Sequence, residues 1–167
     1  AKKMGYETIV TTTWNKDKIT ADKIFEVPSR NLEELERIFL EEKPQAVIAD
    51  ECDYSMYAVA YLTDKYNLPG PGLKPLTITN DKSLQRESCK GINVYQPEYK
   101  LCWNFEMIMD IVQKIGYPVI LKPIDNRGNI GISVANNERE LKEAWFKAIS
   151  NSFSRKCIVE DYIEGEM

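Results

Sequence analysis

The stretch Gly116-Tyr117-Pro118-Val119-Ile120-Leu121-Lys122-Pro123-Ile124-Asp125-Asn126-Arg127-Gly128-Asn129-Ile130-Gly131-Ile132 joins an apolar run, a lysine at its exit and a polar loop with two glycines. Residues 119–121 lie between Pro118 and Pro123, which predicts a short core strand delivering Lys122 to the edge of a sheet. Gly128 and Gly131 tolerate positive φ and have no Cβ, so backbone N–H groups there can approach a polyphosphate closely. Lys122 would add a mobile point charge. The chemistry suited to this set is capture of a phosphorylated ligand. A glycine pair three residues apart between two strands also describes a plain hairpin, so the surrounding elements decide what the loop means.

Those elements come in a definite order. Asn80-Asp81-Lys82 opens a helical stretch and Gly91-Ile92-Asn93-Val94 follows it; downstream, Ile158-Val159-Glu160-Asp161-Tyr162-Ile163-Glu164-Gly165-Glu166 reads as a strand running into an acidic turn. Phe105, Ile108, Met109, Ile111, Val112 and Ile115 predict a helix ended by Gly116. Leu141, Ala144, Trp145, Ala148 and Ile149 predict a second one after Asn136-Asn137-Glu138. With strands at 119–121, 132–135 and 157–160, this half reads as a small α+β layer. In the first half, β-branched residues predict strands at 8–11 and 23–28, and the apolar run at 43–50 predicts a third. Asn31 should cap a helix whose apolar stripe is Leu32, Leu35, Ile38 and Phe39, with a glutamate run on the wet side. A further helix is expected over 57–66. Strand and helix alternate, so the expected class is α/β, a Rossmann-like unit on a parallel sheet. Pro69, Gly70, Pro71, Gly72 and Pro75 make the strongest composition break, which places a first domain at 1–75 and a second at 76–167.

The ordered set formed by Asp81-Lys82, the Gly-Tyr-Pro-Val strand with Lys122-Pro123, the 125–131 loop and the Val-Glu-x-Tyr-Ile-x-Gly strand resembles the ATP-grasp superfamily. The first half is similar to the pre-ATP-grasp domain of carbamoyl-phosphate synthetase-like ligases, so the resemblance spans nearly the whole chain. It implies that Lys82 and Lys122 contact the phosphates of ATP. It also implies that Asn126, Gly128, Asn129 and Gly131 belong to a mobile lid over them, and that Glu160, Asp161, Tyr162 and Ile163 present hinge groups to adenine. Glu160 is then expected on the strand neighbouring Lys122, across a cleft. The implied reaction is ATP-dependent: a carboxylate becomes an acyl phosphate and is attacked by an amine or similar nucleophile, with Mg2+ bridging phosphate oxygens. The resemblance further implies small-molecule carboxylate and nucleophile substrates and allows a homodimer.

Two departures from the family pattern stand out. The ribose-binding acid should lie near Met167, which leaves Glu164, Glu166 or a different contact for that role. The lid of the family has small polar residues between its glycines, whereas Asn129 and Ile130 lie between Gly128 and Gly131 here, with Arg127 just before them either adding charge to the phosphates or facing solvent; Tyr162 suits packing as well as the hinge. Both ends read as cut. Relatives of this kind carry a first strand and glycine turn before Ala1, and several strands after Met167 that hold the metal-binding carboxylates and asparagine; catalytic residues are therefore unassigned, and the piece is expected to be inactive alone.

Composition narrows the rest. With 43% hydrophobic and 29% charged residues, the 167-residue chain has the balance of a soluble globular protein. No apolar run approaches the ~20 residues that span a bilayer, and no signal-peptide pattern opens the chain, so a cytoplasmic protein without a membrane partner is expected. Cys52, Cys89, Cys102 and Cys157 are scattered and histidine is absent, which predicts reduced buried thiols and no metal site of its own. A net charge of −4 argues against nucleic acid as a partner. Two other functional readings are a non-catalytic nucleotide-binding or interaction module with the same fold, and an unrelated flavodoxin-like domain with one sheet continuing across residue 76.

Overall fold

The computed structural model describes residues 1–14, 16–49 and 53–165. They fall into two compact units, Ala1–Leu76 and Thr77–Met167. Expectations placed on Asp50, Cys52, Glu166 and Met167 lie outside the described residues.

In the first unit a 3-10 turn, Lys2–Met4, ends at Gly5 with φ 83°, and strands β1 (Ile9–Thr12) and β2 (Lys23–Glu26) pair in parallel, Ile9 against Lys23 through Thr12 against Glu26. Helix α1 (Leu32–Glu42) starts as its sequence dictates: the Asn31 side chain accepts from the Glu34 amide. Leu35 and Ile38 of α1 are buried with Val27 and with Ala58 of α2 (Asp53–Lys65), against Phe25 and Leu32. Glu36 ties the two helices together, accepting from Tyr61 at 2.9 Å, from Lys65 at 2.5 Å and from Tyr66. Beyond α2 the chain passes so close to Thr63 that a Cβ on Gly70 would stand 2.4 Å from its Oγ1.

One expectation for this unit needs correction. Residues 43–49 form no strand; β1 and β2 are the only strands joined there among the described residues, and Ile48 is 84% exposed, so the apolar run has neither a ladder partner nor a covered face. The proline- and glycine-rich break at 69–72 is irregular and leads into helix α3 (Leu73–Asn80). Pro75 sits in its first turn, where an amide would lack an intrahelical acceptor in any case.

The second unit is a four-stranded antiparallel sheet in the order β3-β6-β4-β5, built from β3 (Tyr99–Cys102), β4 (Val119–Pro123), β5 (Ser133–Ala135) and β6 (Cys157–Asp161). Helices α5 (Phe105–Ile115) and α6 (Glu138–Ser150) are capped by Asn104 and Asn137, and α5 stops at Gly116 with φ 79°. Period-two alternation divides each strand. Val119, Leu121, Cys157 and Val159 are fully buried with Ile108 and Leu141 of the helices, whereas Ile120, Lys122, Ile158 and Glu160 face the other way. Helix α4 (Lys82–Ser88) covers part of that second face, and its Asp81 cap accepts from the Ser83 and Leu84 amides. The two sheets are separate among the described residues, which removes the reading of one flavodoxin-like sheet across residue 76.

Candidate functional site

Lys122 is the next-to-last residue of β4. Ile120, two residues before it and on the same face, stands opposite Glu160 of β6 in the ladder. The two charged side chains therefore share a face, and their expected separation across a cleft is replaced by direct contact: Lys122 Nζ donates to Glu160 Oε2 at 2.6 Å. Glu160 is 2% exposed, with both oxygens occupied, because Arg86 of α4 donates from Nε to Oε1 at 2.6 Å and from Nη2 to Oε2 at 3.1 Å. Burial acts to raise the Glu160 pKa, but the hydrogen bonds from Arg86 and Lys122 outweigh it and hold the carboxyl below its ordinary value. The same bond, donated to Glu160, raises the Arg86 pKa. Arg86 also donates from Nη1 to Gln96 Oε1 at 3.3 Å.

Lys82 lies one helical turn before Arg86 and is fixed at both ends. Its amide donates to the Ile124 carbonyl at 3.1 Å and its Nζ to the Asn126 carbonyl at 2.5 Å. Burial, and then repulsion from Lys122, push its ammonium pKa below the usual lysine value. Two cations thus hold one buried carboxylate, and a third, Lys82, stands close enough to repel Lys122 while the Asp125, Asp81 and Glu160 charges act on it in the opposite sense. Three cations gathered from α4 and β4 offer a phosphate group several donors at once.

The loop after β4 has a fixed base and an open tip. Asp125 accepts from the Phe153 and Ser154 amides at 3.2 and 2.8 Å, so it organises the turn after α6. Asn126 donates from Nδ2 to the Asn151 carbonyl at 2.7 Å. Gly131, at φ 82°, is buried where a Cβ would come within 2.6 Å of Pro123 and 2.8 Å of Asn151. Gly128 and Asn129 lie at the exposed tip, both with positive φ.

At the other edge of the cluster, strand alternation sends the Asp161 side chain away from Lys122, to the side of Val119. There its Oδ1 is buried without a hydrogen-bond partner among the described residues. Any contribution of Asp161 beside Lys122 therefore rests on its backbone. Its amide donates to the Glu98 carbonyl and that of Tyr162 to the Pro118 carbonyl, while the side chains of Tyr162, Ile163 and Glu164 are exposed. Sequence reasoning missed Arg86. The signal was the i, i+4 spacing from Lys82, which puts both cations on one helix face.

Residues 81–166 match the family model described as the carbamoyl-phosphate synthase L chain, ATP binding domain. Three solved structures share the fold. N5-carboxyaminoimidazole synthetase from Staphylococcus aureus, complexed with ADP, has a TM-score of 0.80 at 24% identity over 99% of this chain and 43% of its own. The biotin carboxylase domain dimer of 2-oxoglutarate carboxylase from Hydrogenobacter thermophilus, in complex with MgADP, ADP and bicarbonate, has 0.79 at 24% over 98% and 40%. Phosphoribosylglycinamide synthetase from Anaerococcus prevotii has 0.68 at 24% over 98% and 41%. The chain spans about two fifths of the length of these structures. No helix among the described residues is long and apolar enough to cross a membrane. With the lysine, strand and loop pattern of 81–166 matched over more than half of the sequence, the chain belongs to the carbamoyl-phosphate synthase L chain ATP-binding domain family, within the ATP-grasp superfamily.

Proposed function

We propose that the cluster is an ATP site and that this chain forms the nucleotide-binding part of an ATP-dependent ligase. The observation that carries the reading is the convergence of Lys82, Lys122 and Arg86 beside a loop whose tip is held in left-handed backbone by Gly128 and Asn129. Lys122 and Lys82 take the phosphates. Asn126, Gly128, Asn129 and Gly131 form the loop over them, and the backbone of Glu160, Asp161, Tyr162 and Ile163 meets the adenine edge. The ADP complexes of two relatives support this assignment. Residues 1–75 then serve as the pre-ATP-grasp domain and 76–167 as the start of the ATP-grasp domain.

The reaction that fits is transfer of the terminal phosphoryl group of ATP to a carboxylate oxygen, releasing ADP. The nitrogen of an amine, or a similar nucleophile, then attacks the acyl carbon and phosphate leaves. This chain's cations would neutralise charge spreading over the phosphate oxygens. For magnesium the fit fails within the described residues, which contain no group of three acidic, histidine or cysteine ligands; Asp81 and Asp125 are committed to a helix cap and a turn. No step here passes through the metal.

Calorimetry with ATP on the wild-type chain and on Lys122→Met tests the site. Losing a charged hydrogen-bond donor costs about 1.5 to 3 kcal/mol, a weakening of roughly ten- to a hundredfold. Unchanged affinity in the variant would remove Lys122 from the site. ADP release by a longer protein carrying this chain, dependent on both a carboxylate and a nucleophile, tests the ligase reading; binding without turnover under any acceptor would favour a non-catalytic nucleotide-binding module.

A further inference from the structure

Lys122 cannot hold Glu160 and a phosphate equally well, and the geometry around Glu160 shows how the conflict is resolved. Glu160 is 2% exposed, so it needs a counter-ion at all times. Lys122 makes one side-chain hydrogen bond to it, at Oε2, from a flexible stem 22% exposed. Arg86 makes two, one to each oxygen, from a rigid planar fork steadied by Gln96. The two cations are therefore unequal: removal of Lys122 leaves both carboxylate oxygens hydrogen-bonded, whereas removal of Arg86 leaves Lys122 as the sole cation on a buried charge.

Resting on the nucleotide-site reading above, we propose that Arg86 is a positioning residue that keeps Glu160 compensated and thereby frees Lys122 to turn to a phosphate. Arg86 touches no nucleotide in this scheme. Without it, Glu160 would retain Lys122 and the phosphate site would lose its cation. Removing the charge of Glu160 as well would release Lys122 again.

The experiment is calorimetry with inorganic tripolyphosphate, ATP and adenosine on the wild-type chain, Arg86→Met, Glu160→Gln and the double variant, with far-UV circular dichroism to check folding. Arg86→Met should weaken tripolyphosphate and ATP about tenfold or more while leaving adenosine within about twofold. The double variant should recover to within about threefold of wild type, and Glu160→Gln alone should bind tripolyphosphate at least as tightly as wild type. Equal weakening of adenosine and ATP in Arg86→Met, or no recovery in the double variant, would overturn the proposal. Should Arg86→Met not fold, Glu160→Gln decides: weaker tripolyphosphate binding than wild type refutes the idea. Wild type that takes tripolyphosphate but not ATP refutes the nucleotide reading while leaving the Arg86 cycle measurable; wild type that takes neither refutes both.

Discussion

Two glutamates, one in each unit, show what separates a structural lock from a site. Glu36 is held by three side chains and Glu160 by two. The partners of Glu36 are two phenols and one ammonium, all from α2 and the residue just after it, so the result is one helix fastened to another. Glu160 is held by two cations from different elements, α4 and β4, with the half-buried ammonium of Lys82 near enough to Lys122 for the two to repel. Phenols satisfy hydrogen bonds without adding charge, so Glu36 and Lys65 cancel. At Glu160 two cations meet one carboxylate, and one of them, Lys122, is also repelled by Lys82, so its bond to Glu160 is the one a ligand anion can replace. A carboxylate well supplied with donors is thus no mark of function; the mark is a cation that a ligand can claim without leaving the carboxylate unpaired.

The largest expected effect breaks the comparison at its centre. Glu160→Ala strands two partly buried cations and should cost about 3 kcal/mol in urea unfolding, the lower end for a broken buried pair because Arg86 and Lys122 retain 29% and 22% exposure. Glu36→Ala should cost clearly less, since its partners can turn to water; equal losses would erase the distinction.

The site side is sharpened by its loop. Gly131→Ala combines positive φ with contact against Pro123 and Asn151, and should cost about 2 to 3 kcal/mol. Gly128→Ala has the same handedness problem but nothing within 4 Å, and should cost about 1 kcal/mol. Thermal melts of the pair test whether the base of the loop, more than its tip, is built into the fold.

The smallest effect is in acid. Hydrogen bonds from Lys65, then Tyr66 and Tyr61, lower the Glu36 pKa from 4.5 to about 2. The unfolded chain thus binds this proton more tightly than the folded one. The stability Glu36 contributes is complete above about pH 4.5 and lost as pH falls toward 2. Glu36→Gln should flatten the slope of stability against pH in that window, and an unchanged slope would show that the lock does not depend on charge.

What could be read in the sequence was local. Asn31, Asp81 and Asn137 announce their helices through short side chains reaching the next turn, and Lys122 is placed by the prolines on either side of its strand. What escaped depended on distance. β3 exists by pairing with β6, and the partner of Arg86 lies 74 residues away, so neither leaves a trace in a short window. The apolar run at 43–49 failed in the opposite sense: it has the composition of a strand, but a strand needs a neighbour.

The anchoring of the glycine loop sets a reach. Asp125 and Asn126 are fastened at one end and Gly131 is packed at the other, all against the turn that follows α6. Only residues 128–130 are exposed between these ties. The four steps from residue 127 to residue 131 have a contour of about 14 Å, so an arch tied at both ends rises no more than about 7 Å above its footing. Such a short arch can close over a group lying against Lys122 but cannot follow a ligand far beyond it. The length of the free segment therefore acts as a ruler, gauging how much of a bound molecule this chain can cover by itself.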